Sequence, residues 1–454
     1  MSVRLLNIAR TSLFAQRAAL EVVGHNVANV ETAGYVRQRP VFSAIPGAVT
    51  GEAGGGVELV DIWLLRDALL ATQVRGETGT LGQERAVRQS LLQVEQLFTD
   101  VTHGGLALRI EEMFDAWSNL GLDPTSATSR SLVVERSRLA ADTIASRWQS
   151  LADLRSELDL RLNDMVDRAN ALAREVAQIN REISATRSVA ARNDLETRRD
   201  GVIRELAELC GAETIEQEGG VVDIVIGGRR LVEHTHLTPL ELVADPAQPG
   251  MHLVALGGEL SPAGLRGEIA GRLQVRDALI PGYMAHLDTL ARTLADEINA
   301  LHATGQDLAG NPGTDLFTYD AARPAATLDV SDAIIGDLSL IAAAKTDVVE
   351  SDGTNALAIN DLRNTRVLSG GTATLSQFAA ELIATIGLDA QTAQTRLDSR
   401  RLLLQSLEDA YANQAGVSLD EEALELIRYQ QAYTAASRLV SVALETMDAI
   451  FELR

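Results

Sequence analysis

The sequence predicts a mainly α-helical, elongated, multidomain chain with a smaller β-rich part. Three observations carry that expectation. Hydrophobic residues recur every seven positions at both ends of the chain: Leu6, Leu13, Leu20 and Val27 at the start, and Leu426, Tyr433, Val440 and Met447 at the end. No proline falls between Pro46 and Pro124, between Pro124 and Pro239, or after Pro324. Proline breaks helix interiors, so these stretches admit long helices. The segment 212–266 differs, being rich in β-branched residues, glycine and proline.

The first element is a helix over residues 3–30. Ala9, Gln16, Val23 and Val30 interleave with its heptad line, which makes a coiled-coil-like seam with one polar interruption. Gly34 suits the position just past the helix end. Residues 35–65 are mixed, with a flexible patch at 51–56. A second helix spans 66–98, with Leu91, Leu92, Val94 and Leu97 near its end. After a break at 102–105, a short amphipathic helix carries Leu108, Phe114, Trp117 and Leu120. Asp123-Pro124-Thr125-Ser126 reads as a turn that starts the next helix.

That helix is expected over 126–187. Leu151, Leu158, Met165, Leu172 and Ile179 form its seam with Leu162, Ala169, Val176 and Ile183. At ~1.5 Å per residue it would span roughly 90 Å, which suits a rod better than a globule. Another helix covers 192–209. Val221–Ile226 followed by Gly227-Gly228 is a hairpin signal, and Leu231-Val232 and Met251–Leu256 supply further strands. Helix returns over 268–302 on Ile280, Leu287, Leu290, Leu294 and Ile298. Residues 304–330 are turn-rich with one strand-like piece at Ala326–Val330, and 354–387 hold short helices. The last helix pairs the Leu426 line with Tyr429, Ala436, Ala443 and Ile450 over four heptads. Internal repeats are absent.

The domains expected are therefore 1–65 with 395–454 as a terminal coiled-coil inner domain, 66–211 with 267–394 as a long-helix rod, and 212–266 as a small β element. Residues 1–30 carry Arg4, Arg10 and Arg17 against Glu21, whereas 418–454 carry seven acids against three arginines. Opposite signs favour pairing of the two ends, near antiparallel, within one chain. A lone helix with one apolar stripe is marginal in water. Both ends are thus expected to be loosely ordered in the free chain and to fold together as neighbours cover them.

Composition excludes several functions. The 454 residues leave room for about two to four domains. They are 46% hydrophobic but only 4% aromatic, so the core is aliphatic. The net charge of −23 opposes nucleic-acid and anionic-lipid binding. Lys345 is the only lysine, a bias read as genomic rather than functional. Cys210 is the only cysteine, which rules out an intrachain disulfide, a multi-cysteine zinc site and a CxxC pair; it reads as a buried small hydrophobe.

Neither a secretory leader nor a membrane-spanning run is read, so membrane insertion is not expected. The chain is taken to be soluble or to leave the cell without a cleaved signal. His234 and His236 would share one strand face but lack further ligands. Asp352-Gly353 resembles part of a calcium loop but fails at Val348 and Glu350. The glycine clusters at 54–56 and 219–220 lack phosphate-binding context, and hydrolase and zinc-protease motifs are missing. No catalytic, cofactor-binding or metal residue is assigned, and an enzyme is not expected.

Asn26-Val27-Ala28-Asn29-Val30-Glu31-Thr32-Ala33-Gly34-Tyr35 resembles the N-terminal signature of bacterial flagellar axial proteins, with Ala33 in place of the usual proline and Glu31 of the frequent asparagine. Phe114-x-x-Trp117-x-x-Leu120 with Asp123–Ser126 and Arg130 resembles the hook-associated protein 1 family. So do the stretch Gly267–Asp288, including Arg276-Asp277 and Ile280-Pro281-x-Tyr283, and Asn299-x-x-His302-x-x-Gly305-x-Asp307-Leu308-x-Gly310. The most specific likeness is Gly416–Glu422 followed by Leu426–Tyr433. It extends over nearly the whole chain, although the extra β insert of longer members after Leu316-Phe317 is missing.

The resemblance implies a structural protein forming the junction ring between hook and filament, extracellular in the bacterial flagellum and exported by the flagellar type III apparatus. Implied partners are further copies in a head-to-tail ring, the flagellar hook protein, the second hook–filament junction protein and an export chaperone on the C-terminal helix. The assembly seams are taken as Leu6, Leu13, Leu20, Val23, Asn26, Val27, Asn29, Val30, Gly34 and Tyr35, and as Leu426, Tyr429, Tyr433, Ala436, Val440, Ala443, Met447 and Ile450. Asn26 and Asn29 are read as helix caps or inter-subunit hydrogen-bonding groups. The alternatives are another axial protein, the hook or the distal rod, and a cytoplasmic coiled-coil adaptor.

Overall fold

A computed structural model describes residues 2–32, 34–46, 54–98, 105–258, 260, 264–346 and 349–452, with side chains omitted at 2, 3 and 450–452. The fold is mainly helical, with small antiparallel sheets. Helix α1 (Ser2–Ala28) leads into a hairpin of β1 (Gln38–Ile45) and β2 (Gly56–Leu64). Most of the stretch read as mixed is therefore strand. Helices α2 (Ala68–Phe98), α3 (Leu106–Leu122), α4 (Ala127–Ala185) and α5 (Val189–Cys210) follow. Ser126 caps α4 by accepting from the Ser129 amide, and Ser188 caps α5 through Ala191. Gly211, at φ +70°, ends α5.

Strands β3 (Glu213–Glu216), β4 (Val222–Ile226), β5 (Arg229–Glu233) and β6 (His236–Leu237) form an antiparallel meander. β7 (Leu240–Ala244) pairs with β8 (His252–Leu256). Gly227 and Gly228 both take positive φ in the β4–β5 turn. His234 sits in the next turn at φ +56°, outside the strand that holds His236, so the two histidines do not share one strand face.

Helix α6 (Gly267–Gln274) runs through a π-turn at Val275–Leu279 into α7 (Ile280–Ala303). The pieces β9 (Phe317–Thr318), α8 (Pro324–Thr327), β10 (Asp329–Val330), α9 (Asp332–Gly336) and α10 (Thr354–Asp361) precede two long helices, α11 (Leu375–Ala415) and α12 (Leu419–Glu452). Here the expectation of short helices to residue 387 gives way. Thr374 and Gln377 form a capping box that starts a single helix of 41 residues. The expected domain boundary at 394/395 falls inside it. The strand-like piece at Ala326–Val330 is divided: Ala326 and Thr327 end α8, and Asp329-Val330 form β10, paired with β9.

Two large cores share α4. Its first half, with Ile144, Leu151 and Leu158, packs with α3, α7, α10 and the start of α11 around Phe114, Trp117 and Phe317. Its second half, from Leu162 to Ile183, packs with α5, α6 and the strands. Asn170 and Asn180 interrupt the α4 seam and fasten the sheets. Asn170 exchanges hydrogen bonds with the Leu240 backbone at 2.9 and 2.8 Å, and Asn180 donates to the carbonyls of Val222 and His234.

Between the cores lies a buried charge cluster. Arg276, in the π-turn, pairs with Asp159 of α4 and at 2.6 Å with Asp277. Arg130 of the turn motif is likewise a clamp, donating to the carbonyls of Pro124 and Ile341 at 2.8 Å. Asn299 binds the backbone of Leu316 and Phe317. Cys210 is buried, its thiol pushed up to about 12 by desolvation.

Candidate assembly interface formed by the chain ends

Helices α1 and α12 pack antiparallel, the end of α1 lying beside the start of α12. Tyr429 sits on Ala19 and Val23, flanked by Leu20, Leu426 and Phe42 of β1, whose ring meets it edge-on at 6.2 Å. The buried line on α12 is Glu422, Tyr429, Ala436 and Ala443. On α1 it is Ala9, Ala15, Ala19, Val22, Val23 and Asn26.

The expected seams are distributed unevenly over this contact. Val23 and Asn26 are buried, while Leu6, Leu13, Leu20, Asn29, Val30 and Tyr35 are half-buried. Val27, at 38% exposed, and Gly34 lie outside the contact. The α1 axis of contact runs through Ala19 and Asn26, not Leu20 and Val27. One residue is about 100° of helix rotation, and alanines let two backbones approach where leucines would hold them apart. On α12, Tyr429, Ala436 and Ala443 are buried and Leu426, Val440 and Met447 half-buried, but Tyr433 is 39% exposed and belongs to the outer face. The Ile450 side chain lies outside the described residues.

The Asn26 end is closed by a polar network. The Asn26 amide donates to the Gln38 carbonyl at 2.8 Å and to Glu422 at 3.1 Å; its oxygen accepts from the Gln38 amide and the Tyr35 hydroxyl, both at 2.9 Å. It acts as a strand partner for Gln38, so it is neither a helix cap nor free for a neighbouring subunit. Asn29 donates to the His25 carbonyl at the helix end.

Arg37 donates to Glu422 at 2.6 Å and also pairs with Glu421; its amide donates to Ala415 at the end of α11. Burial opposes the Arg37 charge, but the two glutamates outweigh it and hold the guanidinium above its ordinary value. Burial, followed by the charges of Asp194 and Glu422, raises the Tyr35 hydroxyl well beyond the usual phenol range, so it is a neutral donor. Arg37, Gln38, Glu421 and Glu422 were not assigned from sequence. Glu422 carried a signal, since it stands seven residues before Tyr429 on the same heptad line.

A second apolar stripe runs along α12 away from α1. Ile427 is 51% exposed, and Leu424, Leu439 and Val442 are exposed on the same side of the helix. Phe14 on α1, at 65%, and Val60 and Trp63 on β2 are also exposed. Burying such residues is worth ~1.5–3 kcal/mol each, and an apolar stripe like that of α12 marks a surface for another chain. Among the described residues no cluster of three or more histidine, cysteine or carboxylate side chains is arranged to hold a metal, and no helix is long and apolar enough to cross a membrane. The arrangement suits packing against other protein chains.

Comparison with known proteins agrees with this reading. Residues 91–317 match the flagellar hook-associated protein FlgK helical domain, 6–35 the flagella basal body rod protein model, and 409–453 the flagellar basal body rod FlgEFG protein C-terminal model. The chain is 25% identical over 492 residues to flagellar hook-associated protein 1 of Bacillus subtilis, covering 98% of this chain and 97% of that one. It is 24% identical over 552 residues to the protein of the same name from Salmonella typhimurium, covering 99% and 100%. The solved flagellar hook junction protein FlgK from Burkholderia pseudomallei shares the fold at a TM-score of 0.68 with 16% identity, over 75% of this chain and 99% of that one. With the helical-domain match spanning half of the chain, rod-type models on both paired end helices and similarity running nearly end to end, the chain belongs to the flagellar hook-associated protein 1 (FlgK) family.

Proposed function

We propose that this protein is a structural axial component of the bacterial flagellum that forms the ring joining hook to filament, assembling head to tail through its terminal helices. The carrying observation is the double-faced α12: one apolar line closes on α1, and a second, from Leu424 to Val442, is left for neighbours. Repetition of one heterologous contact around an axis closes a ring. The helical middle, built on α4, stands off the inner contact as a rigid spacer. The partners proposed are hook protein on one side and the second junction protein on the other. Export through the flagellar type III channel, with a chaperone covering the apolar face of α12, would keep that face from self-association beforehand. The hook and distal-rod alternatives are disfavoured because the middle matches the FlgK helical domain.

The α1–α12 pair is pinned at the Asn26–Glu422 end and thinly packed beyond it, where alanines supply the buried contact. We infer that in the free chain the far end, around Leu6 and Met447, frays and becomes ordered once neighbours cover Ile427 and Leu439. Hydrogen exchange tests this: the Val440 and Met447 amides should exchange rapidly in the monomer and become protected in the ring. Strong protection in the monomer would contradict the ordering step. Deletion of 420–454 should leave the helical middle folded by circular dichroism while abolishing assembly and filament attachment; normal swimming by cells carrying the deletion would overturn the function.

A further inference from the structure

We propose that the terminal unit, made of α1, the β1–β2 hairpin and α12, is hinged to the helical middle and that Arg66 is the catch holding it in one orientation. Two linkers cross the joint: Leu65–Asp67 between β2 and α2, and Gly416–Ser418 between α11 and α12. They are brought side by side because the Arg37 carbonyl accepts from the Leu65 amide at 2.9 Å and the Arg37 amide donates to Ala415 at 2.9 Å. A few loop residues at adjacent crossings are what a hinge needs.

The seating of the hairpin on α5 is polar. Arg66 pairs with Glu196, which is nearly buried, and reaches Asp200 at 3.3 Å. Asn193 of α5 donates to the Ile62 carbonyl at 2.8 Å. The apolar clusters among the described residues each stay on one side of the joint: α1, α12 and Phe42 form one, and α2 with α11 another, around Val74, Leu81, Leu397 and Leu404. Val36, which is buried, lines the space between the two sides with Val74 and Tyr411.

The joint is also incompletely filled. A cavity of about 150 Å³ lies among Val36, Val74, Asp200 and Tyr411. Protein interiors are normally close-packed, and a polar, hollow contact of this kind resembles a transient domain interface. Its strength therefore rests on polar contacts, with the Arg66 pairs foremost, rather than on apolar burial. Such a catch would let one terminal unit keep its inner packing while the middle adopts a different angle above it.

The test uses the full-length free chain, so it does not depend on ring formation. Spin labels are placed at exposed Ser43 of β1 and Ser399 of α11 as cysteines; buried Cys210 stays unlabelled. In about 50 mM salt the label-to-label distance distribution should be narrow, because a direct pair to a buried glutamate is little screened. Arg66→Ala should widen the distribution about twofold, and Glu196→Gln with Asp200→Asn should reproduce that width. All variants should keep the helical circular dichroism of the parent. Equal widths for parent and Arg66→Ala in low salt would overturn the catch. Unfolding of both variants would overturn it too, since Arg66 would then be a strut of the fold.

Discussion

At the residue scale, the side chain on which the terminal unit turns is Asn26. Its amide satisfies both backbone groups of Gln38 and touches Glu422, so three segments distant in sequence meet on one side chain. Asn26→Ala would orphan buried backbone groups, each costing ~1–3 kcal/mol. The expected outcome is faster exchange of the Gln38 amide and weaker assembly of the proposed ring, with no change in unfolding of the helical middle. His302 is the corresponding residue of the middle. Its ring contacts the Thr314 carbonyl through Nδ1 and accepts from the Ala342 amide at 2.9 Å through Nε2, which fixes the neutral tautomer. Burial lowers its proton affinity; the Thr314 carbonyl and Asp315 act in the opposite direction and Arg130 in the same one. The folded state thus binds this proton less readily than the unfolded chain. Its contribution is complete above about pH 6.5, the ordinary imidazole value, and is lost as the pH falls towards the lower folded value. The urea midpoint of the middle should fall through this range, and His302→Gln should flatten that segment of the profile.

At the scale of elements, α2 shows how closely helices are drawn together. A Cβ on Gly82 would stand 2.4 Å from the Glu208 carbonyl of α5, and one on Gly271 of α6 would stand 2.4 Å from the Gln83 carbonyl of α2. Gly82→Ala must therefore push α5 away from α2. A loss of about 1–3 kcal/mol is expected, read as a lower urea midpoint, with the helix content preserved. The seam of α4 was legible because Leu151, Leu158, Leu162, Ile179 and Ile183 repeat at helical spacing and all become buried. The α11 helix was not, because its exposed Leu388, Leu402 and Leu403 blur the stripe. On α1 the heptad line was visible, but its rotation was not. Leucine attracts the eye as a core residue, yet the closest approach is made by Ala9, Ala15 and Ala19. The β1–β2 hairpin escaped notice because the pairing of Gln38–Ile45 with Gly56–Leu64 is interrupted by a register shift between Val41 and Phe42.

For the molecule as a whole, heptads at both ends, proline-free stretches and a β-branched insert determined a mainly helical chain whose ends are made to pair, and the family motifs placed it among flagellar axial proteins. Tertiary structure decided which face of each end helix is inward, that the β strands share a core with the second half of α4, and that Asn26, Arg37 and Glu422 form one network. It also decided that a polar, partly hollow joint separates the terminal unit from the middle. The division has a physical cause. Periodicity is a property of one helix, written along its own residues, whereas rotation, ion pairing and cavity volume depend on atoms brought in from segments hundreds of residues away.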